Sequence, residues 1–154
     1  MLLYIKMYED IIDYYGDYIP YVLLLLNIYL LRNETETNIL IYYIVGFFIN
    51  NYINIILKNY IKDERPYWNI KSKYNMPSGH SQSTFYSIAF IFIYLYKNKL
   101  LNSNILLVLF YLTNGFITIR NCIVYNYHTK EQIFYGGLLG SILGITNYLL
   151  TKLK

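Results

Sequence analysis

The sequence predicts an all-α protein, a polytopic membrane helix bundle of about five spans preceded by an amino-terminal helix lying in the membrane interface. Three observations lead there. Of the 154 residues, 56% are hydrophobic and only 14% are charged, outside the usual soluble range. The charges are segregated: residues 18–31, 39–57, 104–119 and 132–151 contain no Lys, Arg, Asp or Glu, and the charged residues gather between them. The connections at 32–38, 97–103 and 126–130 are short, which makes neighbouring helices antiparallel and packs them as a bundle. By length, residues 1–154 form a single domain.

Residues 2–16 lack the basic start and small-residue cleavage site of a secretory signal. Tyr4, Tyr8, Ile11, Ile12 and Tyr15 share one helical face, with Glu9, Asp10, Asp13 and Asp17 largely elsewhere, which suits a helix lying flat at the interface. Five apolar spans follow, at about 18–31, 39–57, 82–96, 104–121 and 131–151. A hydrocarbon core of ~30 Å needs ~20 residues of helix, so the second and fifth are comfortable and the first and third are short. In the first, Pro20 sits near the start, where a helix tolerates it, and Arg32 can snorkel at the far end. The third lengthens if its helix begins at Pro77-Ser78-Gly79-His80, because Pro and Ser are good helix-start residues. Gly136, Gly137, Gly140 and Gly144, three or four apart in the last span, read as close helix packing. Tyr and Asn are used so heavily throughout that they read as compositional bias, the tyrosines mainly as membrane and interface filler.

The net charge of +4 does not lie on a continuous polar face, so no nucleic-acid partner is expected. Cys122 is the only cysteine; it cannot form an internal disulfide and reads as a small buried side chain. A transporter would want ionisable residues midway through its spans, and here they cluster at span ends. Nothing in the sequence specifies an oligomeric state.

Three polar clusters interrupt this apolar background: Lys58-x6-Arg65-Pro66, Pro77-Ser78-Gly79-His80 and Tyr127-His128-Thr129, the last two holding the only two histidines. Threading of the intervening spans puts all three at one membrane face. Cleavage of a phosphate ester needs a nucleophile, an acid for the leaving oxygen and fixed positive charge around the phosphoryl oxygens. Lys58 and Arg65 suit the last task, arginine forking onto two oxygens and lysine acting as a point charge. The Ser78 hydroxyl and the amides of Ser78, Gly79 and His80, at a helix amino terminus, supply further donors, and Gly79 lets the backbone come close. Lys58 or Arg65 alone would read as flanking charge, and either histidine alone as an interfacial polar residue. Their combination on one face reads as a phosphate site.

These residues resemble the three-part signature of the type 2 phosphatidic acid phosphatase superfamily, which also includes the vanadium haloperoxidases. The resemblance covers about residues 50–150, with the signature between 58 and 137. A soluble haloperoxidase is excluded by the long uncharged spans. The local wording Met76-Pro77-Ser78-Gly79-His80-Ser81-Gln82 and Tyr127-His128-Thr129-x-x-Gln132-x-x-Tyr135-Gly136-Gly137 is most similar to the dolichyldiphosphatase branch. The resemblance implies a helical bundle and a metal-independent lipid phosphatase that needs no cofactor. In it His128 attacks phosphorus to form a phosphohistidine, His80 protonates the leaving group, and Lys58, Arg65, Ser78 and Gly79 hold the phosphate. It further implies that the substrate is a lipid phosphate or diphosphate in the bilayer. The leading expectation is a polyprenyl (dolichyl) diphosphate cut to its monophosphate, which recycles the carrier of protein glycosylation. The alternatives are a phosphatidate or other phospholipid phosphatase, or a catalytically impaired relative that binds lipid phosphates.

A nucleophilic histidine needs a partner that fixes its tautomer and ring. Gln132 matches the branch in that role, with Glu131 as the alternative if the helix begins differently. The departure from the signature lies at Cys122, where the superfamily places an arginine six residues before the nucleophile, with Asn121 where a serine is usual. Arg120 is the nearest arginine and the candidate replacement as a phosphate ligand. Two residues along a regular helix turn a side chain by ~200°, so Arg120 reaches the site only if the helix ends early or carries an irregularity before His128. Five basic residues (Arg32, Lys97, Lys99, Lys152, Lys154) lie on the side opposite the clusters, which favours a lumenal or extracytoplasmic active site and, in a eukaryote, the endoplasmic reticulum membrane.

Overall fold

The computed structural model describes residues 2–33, 38–63 and 74–153, with side chains from residue 11 onward. It is all-α. Its helices are α1 (Leu2–Leu31), α2 (Asn38–Ile61), α3 (Gly79–Lys97), α4 (Ile105–Val124, entered through a 3-10 turn at Asn102–Asn104) and α5 (Lys130–Leu150). The amino-terminal segment and the first expected span are one continuous helix. Pro20 lies inside it, removing the bond that the Gly16 carbonyl would accept without ending the helix. The other spans fall within a few residues of the sequence reading. α2 runs on through Lys58 to Ile61, which places that lysine in the last turn of a helix.

Three helical stretches among the described residues are long and apolar enough to cross a bilayer: Asn38–Ile61, Asn102–Val124 and Lys130–Leu150. Their outer faces stay apolar and bare, Leu106 being 79% and Phe116 71% exposed, as expected of a bundle whose surroundings are lipid. α3 is the central helix and packs against α1, α2, α4 and α5. Its position explains its composition. Ser81, Gln82, Ser83, Thr84 and Ser87 are all buried and reach neighbours: Ser81 Oγ donates to Ile133 O (2.9 Å), Ser83 Oγ to Asn51 Oδ1 (2.9 Å), and Ser87 Oγ pairs with Tyr43 OH (2.9 Å). Inside a bundle without water, such bonds replace those a polar group would otherwise lack.

The glycines of α5 let α3 approach at backbone distance. A Cβ on Gly136, Gly140 or Gly144 would lie 2.5, 2.1 or 2.4 Å from the carbonyl oxygens of Ser78, Gln82 and Tyr86. The packing role read from their spacing holds, and it fixes α3 and α5 to one another where their amino termini carry the candidate site.

The reading of Tyr and Asn as compositional bias is corrected for the interior. Tyr43, Tyr86, Tyr111 and Tyr148 are fully buried in the core. Asn27, Asn50, Asn54, Asn75, Asn114 and Asn121 are buried too. Tyr86 OH donates to Tyr43 O (3.0 Å) and accepts from Asn147 Nδ2 (2.6 Å), and Tyr111 OH donates to Asn27 Oδ1. In a core built from such residues, every amide and phenol needs its partner.

Candidate active site

Two cavities of about 330 and 320 Å³ share His80 and His128 in their walls, so the two imidazoles come together at one end of the bundle. The first cavity adds Lys58, Gly79, Phe47, Phe48 and Tyr21 to its lining. The second adds Asp17, Asn121, Cys122 and Tyr127.

His80 is placed by the start of α3. Ser78 is the N-cap, its Oγ accepting from Ser81 N at 3.3 Å. Ser78 is fully buried and its amide donates to Gln132 O at 3.0 Å. Its hydroxyl thus caps α3 and its amide ties α3 to α5, and Gly79 and His80 reach the cavity wall while Ser78 stays behind them. Asn54 holds the same turn from α2, its Nδ2 donating to Pro77 O (3.0 Å) and to Gln82 Oε1 (2.7 Å). Lys58, one helical turn further along α2, therefore lies beside Gly79: a Cβ there would be 3.6 Å from Lys58 Nζ. His80 Nε2 lies 2.9 Å from the main-chain carbonyl of Asp17 in α1. A carbonyl only accepts, so Nε2 carries the proton.

His128 is placed by the start of α5. Thr129 is the N-cap and forms a capping box with Gln132, whose backbone N donates to Thr129 Oγ1 (3.2 Å) while Thr129 N donates to Gln132 Oε1 (3.1 Å). The same Oε1 faces His128 Nδ1 at 3.3 Å. An amide oxygen accepts, so Nδ1 donates and the lone pair of the neutral ring sits on Nε2. Gln132 Nε2 in turn donates to Asp63 Oδ2 at 2.7 Å. Glu131 is exposed, and its carboxylate accepts from the Thr129 hydroxyl. Asn75 Nδ2 donates to the carbonyl of Tyr127, holding the loop before the histidine. Burial and the carboxylates of Asp17 and Asp13 push the Tyr127 phenol above its ordinary pKa, which keeps it neutral.

Arg65 lies outside the described residues. Arg120 is not brought to the cavity walls. α4 stays helical through Val124, so neither the early end nor the irregularity that would swing Arg120 inward is found. Its Nη1 forms an ion pair with Asp13 Oδ1 at 2.6 Å and donates to Asn121 Oδ1 at 3.0 Å. Cys122, at the position of the superfamily arginine, lines the second cavity together with Thr118 and Asn121 of α4.

Sequence reasoning missed Asn54, Asp63 and Asn75. The only signal at Asn54 was its place one turn before Lys58, and at Asp63 its place inside the Lys58-x6-Arg65 interval. Asn75 carried no signal of its own.

The sequence profile of the family described as PAP2 superfamily matches residues 39–154. Among curated proteins, the chain is 31% identical over 140 residues to "Dolichyldiphosphatase 1" of Mus musculus, covering 82% of this chain and 58% of that protein. It is 34% identical over 113 residues to "Dolichyldiphosphatase 1" of Dictyostelium discoideum, covering 68% and 48%. To "Lipid phosphate phosphatase epsilon 1, chloroplastic" of Arabidopsis thaliana it is 29% identical over 125 residues, covering 79% and 43%. The chain thus spans about half the length of the curated relatives it matches. No solved structure matches it.

Proposed function

Because the chain belongs to the PAP2 superfamily, we propose that it is a metal-independent lipid phosphatase that hydrolyses a polyprenyl (dolichyl) diphosphate to the monophosphate through a phosphohistidine. The observation that carries the reading is the first cavity, whose walls include both Lys58, Gly79, His80 and His128 and the apolar rings of Phe47, Phe48 and Tyr21. A ligand that is anionic at one end and apolar at the other matches both sets of walls.

The two Nε2 atoms suit opposite tasks. His128 Nε2 attacks phosphorus; the bond between phosphorus and the bridging oxygen breaks, and His80, acting as an imidazolium, passes its Nε2 proton to that oxygen as the lipid monophosphate leaves. Water then attacks the phosphohistidine, its proton returning to His80 and the P–N bond breaking to release phosphate. Lys58, the Gly79 and His80 amides at the start of α3, and Arg65 hold the phosphoryl oxygens, where charge spreads in a loose transition state. Ser78 supports this cradle as the cap that sets the turn. The protein resides in the endoplasmic reticulum membrane with this end lumenal, a placement that protease protection of tagged termini would test.

The test is phosphate release from dolichyl diphosphate by the detergent-purified chain, with chelator in excess. Activity in the wild type that disappears in His128→Ala supports the reading. Activity retained in His128→Ala overturns the phosphohistidine. A substrate panel containing phosphatidate separates the diphosphate from the phospholipid reading, the latter favoured by the similarity to the plant lipid phosphate phosphatase.

A second reading, an impaired relative that binds lipid phosphates, is favoured by Cys122 lining the second cavity with the histidines while Arg120 is held by Asp13. A large rise in turnover on Cys122→Arg supports it, and an already vigorous wild type rules it out.

A further inference from the structure

We propose that Asp63 is a positioning residue for the nucleophile, acting on His128 through the amide of Gln132; the proposal rests on the reading of His128 as nucleophile. The basis is a continuous line of polar contacts, Asp63 Oδ2 to Gln132 Nε2 at 2.7 Å and Gln132 Oε1 to His128 Nδ1 at 3.3 Å. A carboxylate beside a nucleophilic histidine would both orient the ring and stabilise the imidazolium. A glutamine offers only orientation, and its two ends are chemically opposite. Turned by 180°, the amide would present Nε2–H to the ring. His128 Nδ1 would then have to accept, the ring proton would move to Nε2, and the atom that attacks phosphorus would lose its lone pair.

Asp63 prevents that turn because a carboxylate accepts and cannot donate. With Asp63 facing one end of the amide, the carbonyl end must face His128, and the Thr129 amide reinforces the choice at 3.1 Å. Gln132 is fully buried, so no water stands in for either partner. The site of Asp63 is itself built. α2 ends at Ile61 and Lys62 takes a left-handed conformation, φ 55°, with its amide still bonded to Lys58 O at 3.1 Å. A non-glycine residue adopts this conformation at a cost, and the turn it makes carries Asp63 back toward α5. The Asp63 carbonyl accepts from Asn75 N at 2.9 Å, which fixes its main chain as well. The interval between the lysine and arginine of the first cluster thus holds a third functional residue.

The experiment measures steady-state phosphate release from dolichyl diphosphate by the detergent-purified full chain, with thermal melting in parallel. Asp63→Ala is expected to lower kcat about 10- to 100-fold with KM changed less than about threefold, the signature of a misplaced reacting group with binding intact. Asp63→Asn, whose side-chain oxygen still accepts from Gln132, is expected to keep kcat within about fivefold of wild type. Gln132→Glu sets two carboxylates against one another and loses activity. The double variant Gln132→Glu, Asp63→Asn restores a single acceptor beside His128 and is expected to exceed Gln132→Glu alone by at least about tenfold, a coupling that a merely structural role would not produce. Wild-type kcat in Asp63→Ala, or a double variant no more active than Gln132→Glu, overturns the proposal while the phosphatase reading stands. Activity that survives His128→Ala brings down the reading of His128 as nucleophile and this inference together.

Discussion

His80 of α3 donates from Nε2 to the main-chain carbonyl of Asp17 in α1 across 2.9 Å. The Nε2–H of the proposed acid is therefore oriented by a helix outside residues 39–154, which the family profile matches. A bound substrate competes with that carbonyl for the same proton. His80→Ala is expected to lower kcat for a lipid diphosphate by about 10²- to 10⁴-fold, the usual worth of general acid catalysis. The same variant should lose far less on p-nitrophenyl phosphate, whose leaving group departs without protonation. Parallel kinetics on the two substrates check this; equal losses on both would remove His80 from the acid role.

Arg120 and Asp13 are both partly buried, 30% and 19% exposed, and join α4 to α1. Arg120→Ala leaves a carboxylate without its partner, and the expected result is a stability loss of about 1–3 kcal/mol, between the values for exposed and buried pairs. Thermal melting in detergent measures it. KM for the lipid diphosphate should stay within about twofold; a tenfold rise would make Arg120 a phosphate ligand after all.

The glycines of α5 are not equivalent. A Cβ at Gly140 would lie 2.1 Å from Gln82 O, main-chain atoms that cannot yield, whereas at Gly137 it meets the Ser81 Oγ at 3.2 Å and a phenylalanine ring. Gly140→Ala is expected to destabilise by about 2 kcal/mol or more and Gly137→Ala by less than about 1 kcal/mol. Comparison of the two melting curves decides it. Because α5 carries His128, activity should fall in step with folded protein in Gly140→Ala.

Phe48 is 63% exposed at the edge of the cavity that holds both histidines and Lys58. If the prenyl chain leaves the cavity along this edge, Phe48→Ala should raise KM for dolichyl diphosphate about three- to tenfold, the equivalent of roughly 1 kcal/mol of lost apolar contact. KM for a short, water-soluble phosphate ester should not move. A KM for the long-chain substrate equal to that of wild type would place the lipid tail elsewhere.

The bundle was legible in the sequence because bilayer thickness, charge segregation and short connections leave few arrangements. The helix start at Pro77-Ser78 was equally legible, since capping chemistry is local. Two kinds of information were not. The continuity of α1 through Gly16 and Pro20 depends on Gly16 nesting against Asn121, where a Cβ would be only 1.8 Å from Asn121 Nδ2, and no local pattern announces such a contact. The partners of the site residues also escaped: Asn54 and Asp63 act only because α2 passes the amino ends of α3 and α5. In a chain rich in asparagine, a buried amide with a task looks the same on paper as one without. The direction of Arg120 was half legible. Helical geometry said that it turns away from the position of Cys122, and only the packing of α1 supplied Asp13 as its partner.

The polar side chains along α3 have an implication for how the protein is made. On its own, a segment bearing Ser81, Gln82, Ser83, Thr84 and Ser87 in its first half has little tendency to leave a translocation channel for lipid. Its donors find acceptors on helices synthesised both before and after it, the Ile133 carbonyl and the glycine seat of α5 among the last. Residence of this segment in the bilayer is therefore tied to the arrival of the final helix. The seating of α3 and the meeting of the two imidazoles both wait on α5, so a chain stalled before it has neither.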